Sequence, residues 1–320
     1  MLKEHVLHGR IRHAYLFTGP QGVGRRTLAL RFAQAINCPQ TDTDGEPCMQ
    51  CPTCLRIDRM QHPDLMVIKS DPDSKVLKVD QVRTLQRALS LSPYEARYKI
   101  ALLLRFEEAN QNAANALLKT LEEPASKVIL LLTADNPENL LPTIVSRCEV
   151  LRLSPLSLED VNEGLQTKWE IPPDRSRLLA HLSGGRPGYA LKFFHQPELL
   201  EQRKKWLDDL HQLLKTNRVG RFAYAKDISK DKEFATSVLE TWLIYWHDLL
   251  IGASRASIPI VNIDRVNEIS AISQQIDLSI AQKTVSAIER TIALFDRNAN
   301  LRLATEVLML DLPYLEVSLT

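Results

Sequence analysis

The sequence contains no run of eighteen apolar residues, so nothing in it reads as a membrane-spanning helix. Met1 to His13 lacks the apolar core of a secretory signal and does not read as a transit peptide, which points to a cytoplasmic protein. Neither sign of charge is in excess: 40 Lys and Arg against 39 Asp and Glu leave a formal net charge of +1. That balance argues against a surface dedicated to coating nucleic acid and leaves room only for a local basic patch. Cysteines number five, and four of them fall between positions 38 and 54. Few, clustered thiols fit a reducing compartment with a metal site better than an exported disulfide framework. Repeats and low-complexity tracts are absent as well. What is left is an ordinary globular composition, 44% hydrophobic and 25% charged over 320 residues, enough for two or three domains.

The most informative stretch is Leu16 to Thr27. The apolar run Ala14 to Phe17 has strand character, breaks into a glycine-rich loop, and gives way to an apolar helix over Leu28 to Ile36. Strand, loop and helix in this order form a phosphate cradle, in which glycines let backbone N–H groups converge on an anion at a helix N-terminus. Gly19, Gly22 and Gly24 suit such a cradle, with Gly19 and Gly24 at the required spacing. The side chains that should act on the nucleotide are altered. Arg25 stands where a lysine should reach the β- and γ-phosphates, Arg26 stands where a Mg²⁺-holding hydroxyl should be, and Thr27 comes one residue late. The loop therefore has the scaffold of a nucleotide site with its working side chains altered.

Cys48, Cys51 and Cys54 form C-x-x-C-x-x-C, and Cys38 lies nine intervening residues upstream. Four soft thiolates around Pro39, Gly45, Pro47 and Pro52 suit a closed tetrahedral Zn²⁺ site that staples a loop and does no chemistry. The competing readings are buried cysteines and a redox pair. His62 lies near the cysteines, but four thiolates already close such a site, so a loop role is expected for it.

Further along, His62 to Ile68 reads as a second strand, and Asp80 as the cap of a helix with Val82, Leu85 and Leu89 at helical spacing. Ile100 to Leu104 is a continuous apolar run of the kind found in parallel sheets covered on both faces. In a nucleotide hydrolase this strand should end in acidic residues that hold Mg²⁺. It ends in Leu104-Arg105-Phe106, and Glu107 and Glu108 read as the solvated start of the next helix. An amphipathic helix over Asn112 to Glu123, a strand over Val128 to Leu132 with Thr133 at its end, a short helix before Cys148 and a last strand over Val150 to Leu153 follow. Alternation of this kind predicts a parallel α/β sheet. Beyond it, Ser157 with Asp160 resembles a capping box opening a helix to about Trp169, and from Pro197 onward long apolar-periodic helices take over, notably Phe234 to Leu250 and Leu278 to Phe295. Trp242 and Trp246 share a helical face and are expected in a bundle core.

The glycine loop, the four-cysteine insertion, Ala113-Ala114-Asn115-Ala116-Leu117-Leu118-Lys119-Thr120-Leu121-Glu122-Glu123-Pro124 and Leu141-Pro142-Thr143-Ile144-Val145-Ser146-Arg147-Cys148 together resemble the bacterial clamp-loader subunits of the AAA+ superfamily. The resemblance covers nearly the whole chain. It implies an AAA+ nucleotide-binding-like domain over residues 1–155 with a zinc insertion at 38–54, a helical lid over 156–196, and an all-α collar over 197–320 that ends with the stretch beginning at Asn298. It implies that Cys38, Cys48, Cys51 and Cys54 hold Zn²⁺, that Thr133 falls at the position that senses the γ-phosphate, and that Arg147 is an arginine finger reaching the ATP of a neighbouring subunit. The departures at Arg25, at Leu104 and Arg105, and at Gly188, where active relatives carry a second sensor arginine, point to a non-hydrolysing subunit. Its implied partners are the gamma/tau and delta subunits of a hetero-oligomeric ring and, through the ring, the sliding clamp and primer-template DNA. Two other classes compete: an ATP-hydrolysing gamma/tau-like motor in which Glu107 or Glu108 holds Mg²⁺, and a zinc-dependent DNA-binding module. A further alternative for Arg147 is a surface arginine in a salt bridge.

Overall fold

The structure, a computed structural model, describes residues 1–71, 74–297 and 299–315. The chain divides into two compact units, Met1–Leu156 and Ser157–Thr320. Asn298, where the stretch assigned to the end of the collar begins, lies outside the described residues.

The first unit is built on a five-stranded, all-parallel sheet of order β2-β3-β4-β1-β5. Its strands are β1 (Ala14–Thr18), β2 (Leu65–Ile68), β3 (Lys99–Leu103), β4 (Val128–Ala134) and β5 (Glu149–Arg152). The helices are α1 (Leu2–Leu7), α2 (Arg25–Asn37), α3 (Pro52–Asp58), α4 (Val79–Leu89), α5 (Gln111–Glu122) and α6 (Pro142–Val145). Side chains alternate across a strand, so one short run serves two cores. Ala14 and Leu16 of β1 pack with α4 and α5 residues such as Val82, Leu85 and Leu117, whereas Tyr15 and Phe17 pack with Ala29, Phe32 and Ala33 of α2. Burial on both faces is why β1, β3 and β4 read as unbroken apolar runs.

Three local expectations are corrected. Helix α2 begins at Arg25, three residues before the apolar run, because Gly24 takes the left-handed conformation (φ 104°) and frees the next residues to enter the helix. Asp80 is not the cap of α4; Lys78 holds that position, and its backbone N–H donates to Gln81 Oε1 at 2.9 Å. Strand β4 runs to Ala134, past the expected Leu132, so Thr133 lies within it and not at its end.

The second unit is helical throughout its described residues. Helices α7 (Leu158–Trp169), α8 (Pro173–Ser183) and α9 (Pro187–His195) surround a small core of Val161, Leu165, Leu179, Leu182 and Phe193. Ser157 caps α7 by accepting from the Asp160 N–H, and Gly188 falls in the first turn of α9. A larger core is formed by α10 (Glu198–Lys215), α11 (Arg218–Ile228), α12 (Lys232–Ser254), α13 (Val266–Ser273), α14 (Leu278–Asp296) and α15 (Leu301–Asp311). Trp242 and Trp246 are both fully buried in it; the Trp242 ring stacks on Tyr224 and its Nε1–H donates to the Trp206 carbonyl at 2.8 Å. Among the described residues, no helix is long and apolar enough to cross a membrane.

Candidate functional site

The cradle forms where β1 ends. Gly19 holds φ 142° and stands so close to Leu153 that a Cβ there would collide with the Leu153 carbonyl oxygen, so the loop needs glycine at this point. Gly22 (φ 86°) and Gly24 also occupy positive-φ conformations, and the Gly19 N–H donates to the Asp135 carbonyl at 3.1 Å. Arg26 and Thr27 are exposed in the first turn of α2.

Arg25 turns inward. It is 7% exposed, and its Nη2 lies 2.5 Å from Oδ1 of Asp135, the residue that follows β4. Its Nη1 is buried with no hydrogen-bond partner among the described residues. Strand order explains the meeting. β3, β4 and β1 are neighbours, so the residues leaving their C-terminal ends converge at the edge where open α/β sheets bind ligands.

Glu107 joins the same cluster, and this overturns its reading as a solvated helix start. After β3 the chain takes a left-handed step at Arg105 (φ 51°), whose N–H donates to Thr133 Oγ1 at 2.9 Å, and enters the 3-10 turn Phe106–Glu108. That reversal brings the Glu107 side chain inside, 13% exposed, with both carboxylate oxygens buried and without hydrogen-bond partners among the described residues. Burial above all, with help from Asp135, raises its pKa above the ordinary carboxylate value against the opposing pull of its own N–H, Arg25 and Arg105. Glu108 is not solvated either: its Oε1 pairs with Arg105 Nη2 at 2.7 Å.

A carboxyl whose folded-state pKa is raised stabilises most below its unfolded pKa, and that contribution is lost as pH rises through the folded value. Glu107→Gln is therefore expected to stabilise the protein at pH 7–8 by about 1 kcal/mol, roughly 2–4 °C in Tm, with the gain vanishing near pH 4. Thermal unfolding of both proteins across that range checks it; a gain that grows on acidification would contradict the placement of this carboxyl.

The four thiols converge as well. Cys38 closes α2, Cys51 caps α3, Cys54 lies in the first turn of α3, and Cys48 comes from the loop between the helices. The four Sγ atoms lie within 4.8 Å of one another, with Cys38–Cys48 at 3.6 Å and Cys38–Cys51 at 3.9 Å. Four sulfurs at Zn–S distances of about 2.3 Å in a tetrahedron are about 3.8 Å apart, whereas a disulfide requires about 2.05 Å. Backbone N–H groups of Gln40, Cys48, Cys51 and Cys54 point at sulfur atoms at 3.3–3.5 Å, an arrangement suited to thiolates. The donor set and its geometry fit a metal ion. His62 lies apart, buried before β2, with its Nδ1 accepting from the Asp64 N–H at 3.1 Å.

Arg147 follows α6 and is about a third exposed. Its guanidinium is folded against its own domain: Nη1 donates to the Thr143 carbonyl at 2.8 Å and Nη2 to Glu122 Oε1 at 2.7 Å. The surface salt bridge weighed against the finger reading is therefore present.

Residues 1–157 match the family model described as DNA polymerase III, delta subunit. The chain is 30% identical over 296 residues to DNA polymerase III subunit delta' of Bacillus subtilis, spanning 91% of this chain and 84% of that protein. The chain belongs to the DNA polymerase III delta' subunit family. The family's Pseudomonas aeruginosa delta' subunit is 38% identical over 216 residues, 65% of this chain and 64% of that one. Subunit tau of Escherichia coli is 37% identical over 172 residues, half of this chain but 26% of tau. Among solved structures, a DNA polymerase III gamma subunit-related protein of Thermotoga maritima superposes with a TM-score of 0.50 at 18% identity, covering 97% of this chain and 96% of that one, which shows a shared fold.

Sequence reasoning named the cradle glycines, Arg25, the thiols and Arg147, read Glu107 as solvated or, in the motor alternative, as a Mg²⁺ ligand, and did not name Asp135. The available signal for Asp135 was its place directly after an apolar strand, since C-terminal strand ends in parallel sheets gather at one edge.

Proposed function

We propose that this chain is a non-hydrolysing delta'-type subunit of the DNA polymerase III clamp loader in DNA replication. In this reading it sits in a ring with gamma/tau and delta subunits that loads the sliding clamp onto primer-template DNA, and it serves as scaffold while donating Arg147 to a neighbour's ATP site. Residues 1–155, 156–196 and 197–320 act as the AAA+ domain, lid and collar.

The observation that carries the non-hydrolysing role is the Arg25–Asp135 ion pair. Arg25 replaces the lysine, and its Nη2 is paired with the Asp135 carboxylate of its own chain, which offsets the positive charge that position would offer to the β- and γ-phosphates. With Leu104 and Arg105 after β3, the acidic pair for Mg²⁺ is missing too. Cys38, Cys48, Cys51 and Cys54 would hold a structural Zn²⁺, whose chemistry is to cross-link the insertion. Gln34 supports that insertion from α2, its buried Nε2 donating to the Cys54 carbonyl at 2.8 Å. For Arg147, the support is its place outside the sheet with a permanently charged, planar fork.

One observation favours the motor reading: the Glu107 carboxylate lies among the cradle residues. The purified chain is expected to show no steady ATP turnover. Turnover that Glu107→Gln abolishes would replace the scaffold reading with the motor one.

A further inference from the structure

We propose that Glu122 is a positioning residue for Arg147, holding the guanidinium ready for the neighbouring subunit. This rests on the reading of Arg147 as a finger acting in trans.

Glu122 is the last residue of α5. A carboxylate there faces the negative end of the helix dipole, so it does not serve the helix that carries it. What compensates it is Arg147, 25 positions later in sequence, through the 2.7 Å bond between Oε1 and Nη2. The Thr143 carbonyl takes Nη1 at 2.8 Å and also accepts from Ser146 Oγ at 3.2 Å. The guanidinium is thus gripped at two nitrogens by two different elements, the end of α5 and the first turn of α6. The end of α5 is itself anchored, because Gln86 Nε2 of α4 donates to the Ala116 carbonyl at 2.8 Å and to Thr120 Oγ1 at 2.9 Å.

A long, flexible arginine loses much rotamer freedom when it engages a phosphate, and ordering it beforehand removes part of that cost from the catalytic step. A guanidinium has five N–H donors, and the two bonds to Thr143 and Glu122 use two of them, leaving three for an anion. The pair therefore orders the finger without exhausting it. The Leu121-Glu122-Glu123-Pro124 and Ser146-Arg147-Cys148 segments, far apart in sequence, act as one device.

The test uses the reconstituted clamp-loader complex with DNA- and clamp-stimulated ATPase as the readout. In single turnover, Glu122→Ala is expected to slow hydrolysis at the site facing Arg147 about two- to fivefold, the range of an exposed ion pair, with ATP affinity unchanged and a smaller fall in the bulk rate. Glu122→Gln, which keeps the acceptor oxygen, is expected to recover most of the loss. In an Arg147→Ala background, Glu122→Ala is expected to add nothing, a coupling that a merely structural role would not produce. Full activity of Glu122→Ala beside an impaired Arg147→Ala complex would overturn this inference alone. A loss that persists undiminished in the Arg147→Ala background would also overturn it. Full activity of the Arg147→Ala complex would overturn the finger reading and this inference with it.

Discussion

Replacing Arg147 by alanine is expected to leave the chain folded and the complex assembled while the ATP site facing it loses most of its turnover. A finger supplied in trans is worth about 10³–10⁵ in rate where chemistry limits turnover. Stabilisation of the fold by this side chain is small by comparison. Arg147 is about a third exposed and its pair with Glu122 is a surface contact, worth about 0.2–1 kcal/mol at most. The two effects differ enough to be separated: gel filtration and thermal unfolding of the variant should match the parent, and single-turnover hydrolysis should not. In the proposed ring, with several ATP sites of which one would face Arg147, the bulk steady-state rate is expected to fall less than that of the single site. Lysine should rescue poorly, since a point charge lacks the planar fork that grips two phosphate oxygens and matches both Thr143 and Glu122. Full stimulated activity in an intact Arg147→Ala complex would leave only the scaffold role.

Removing the metal is expected to unfold the insertion between α2 and α3. Protein purified without added zinc should carry one Zn²⁺ per chain on Cys38, Cys48, Cys51 and Cys54, with Cys148 outside the set because it packs with the α4 and α5 side of the sheet. Besides the thiols, the insertion is held by Ile57, which packs with the α2 side of the sheet, and by the Gln34 bond to the Cys54 carbonyl. Its buried residues include the cysteines themselves and Ile57, and Cys38, Cys51 and Cys54 form a cluster of their own. Structural zinc supplies about 10–16 kcal/mol of apparent binding free energy in finger peptides, comparable to the whole stability of a typical domain, about 5–15 kcal/mol. Cys54→Ser, at a fully buried position, or prolonged chelation should make residues 38–58 sensitive to protease and lower Tm. Metal should also leave on acidification, because binding requires deprotonated thiols. Less than about half an equivalent of metal, with all four thiols freely reactive, would exclude the site.

The sequence determined the parts of this protein whose signal is local. Apolar runs and helical spacing announced the sheet and the helices around it, because burial on two faces or on one stripe leaves a pattern within a single element. The glycines of the cradle and the C-x-x-C-x-x-C spacing were legible for the same reason: tight turns and tetrahedral ligation both constrain near neighbours in the chain. Even the absence of a lysine at position 25 and of acidic residues at 104 and 105 could be read as a departure from the hydrolase pattern. Only the tertiary structure decided what replaced it. Arg25, Glu107 and Asp135 come from three separate segments and meet because β1, β3 and β4 are adjacent and parallel, so their C-terminal ends converge. Glu107 reads as a solvated residue in sequence because no periodicity reveals that the chain reverses at Arg105 through a positive φ and carries the carboxylate inside. Arg147 and Glu122 likewise lie on separate elements. Their pairing follows from how α5 and α6 pack, and in such contacts the side-chain types are visible in the sequence while the distance between them is not.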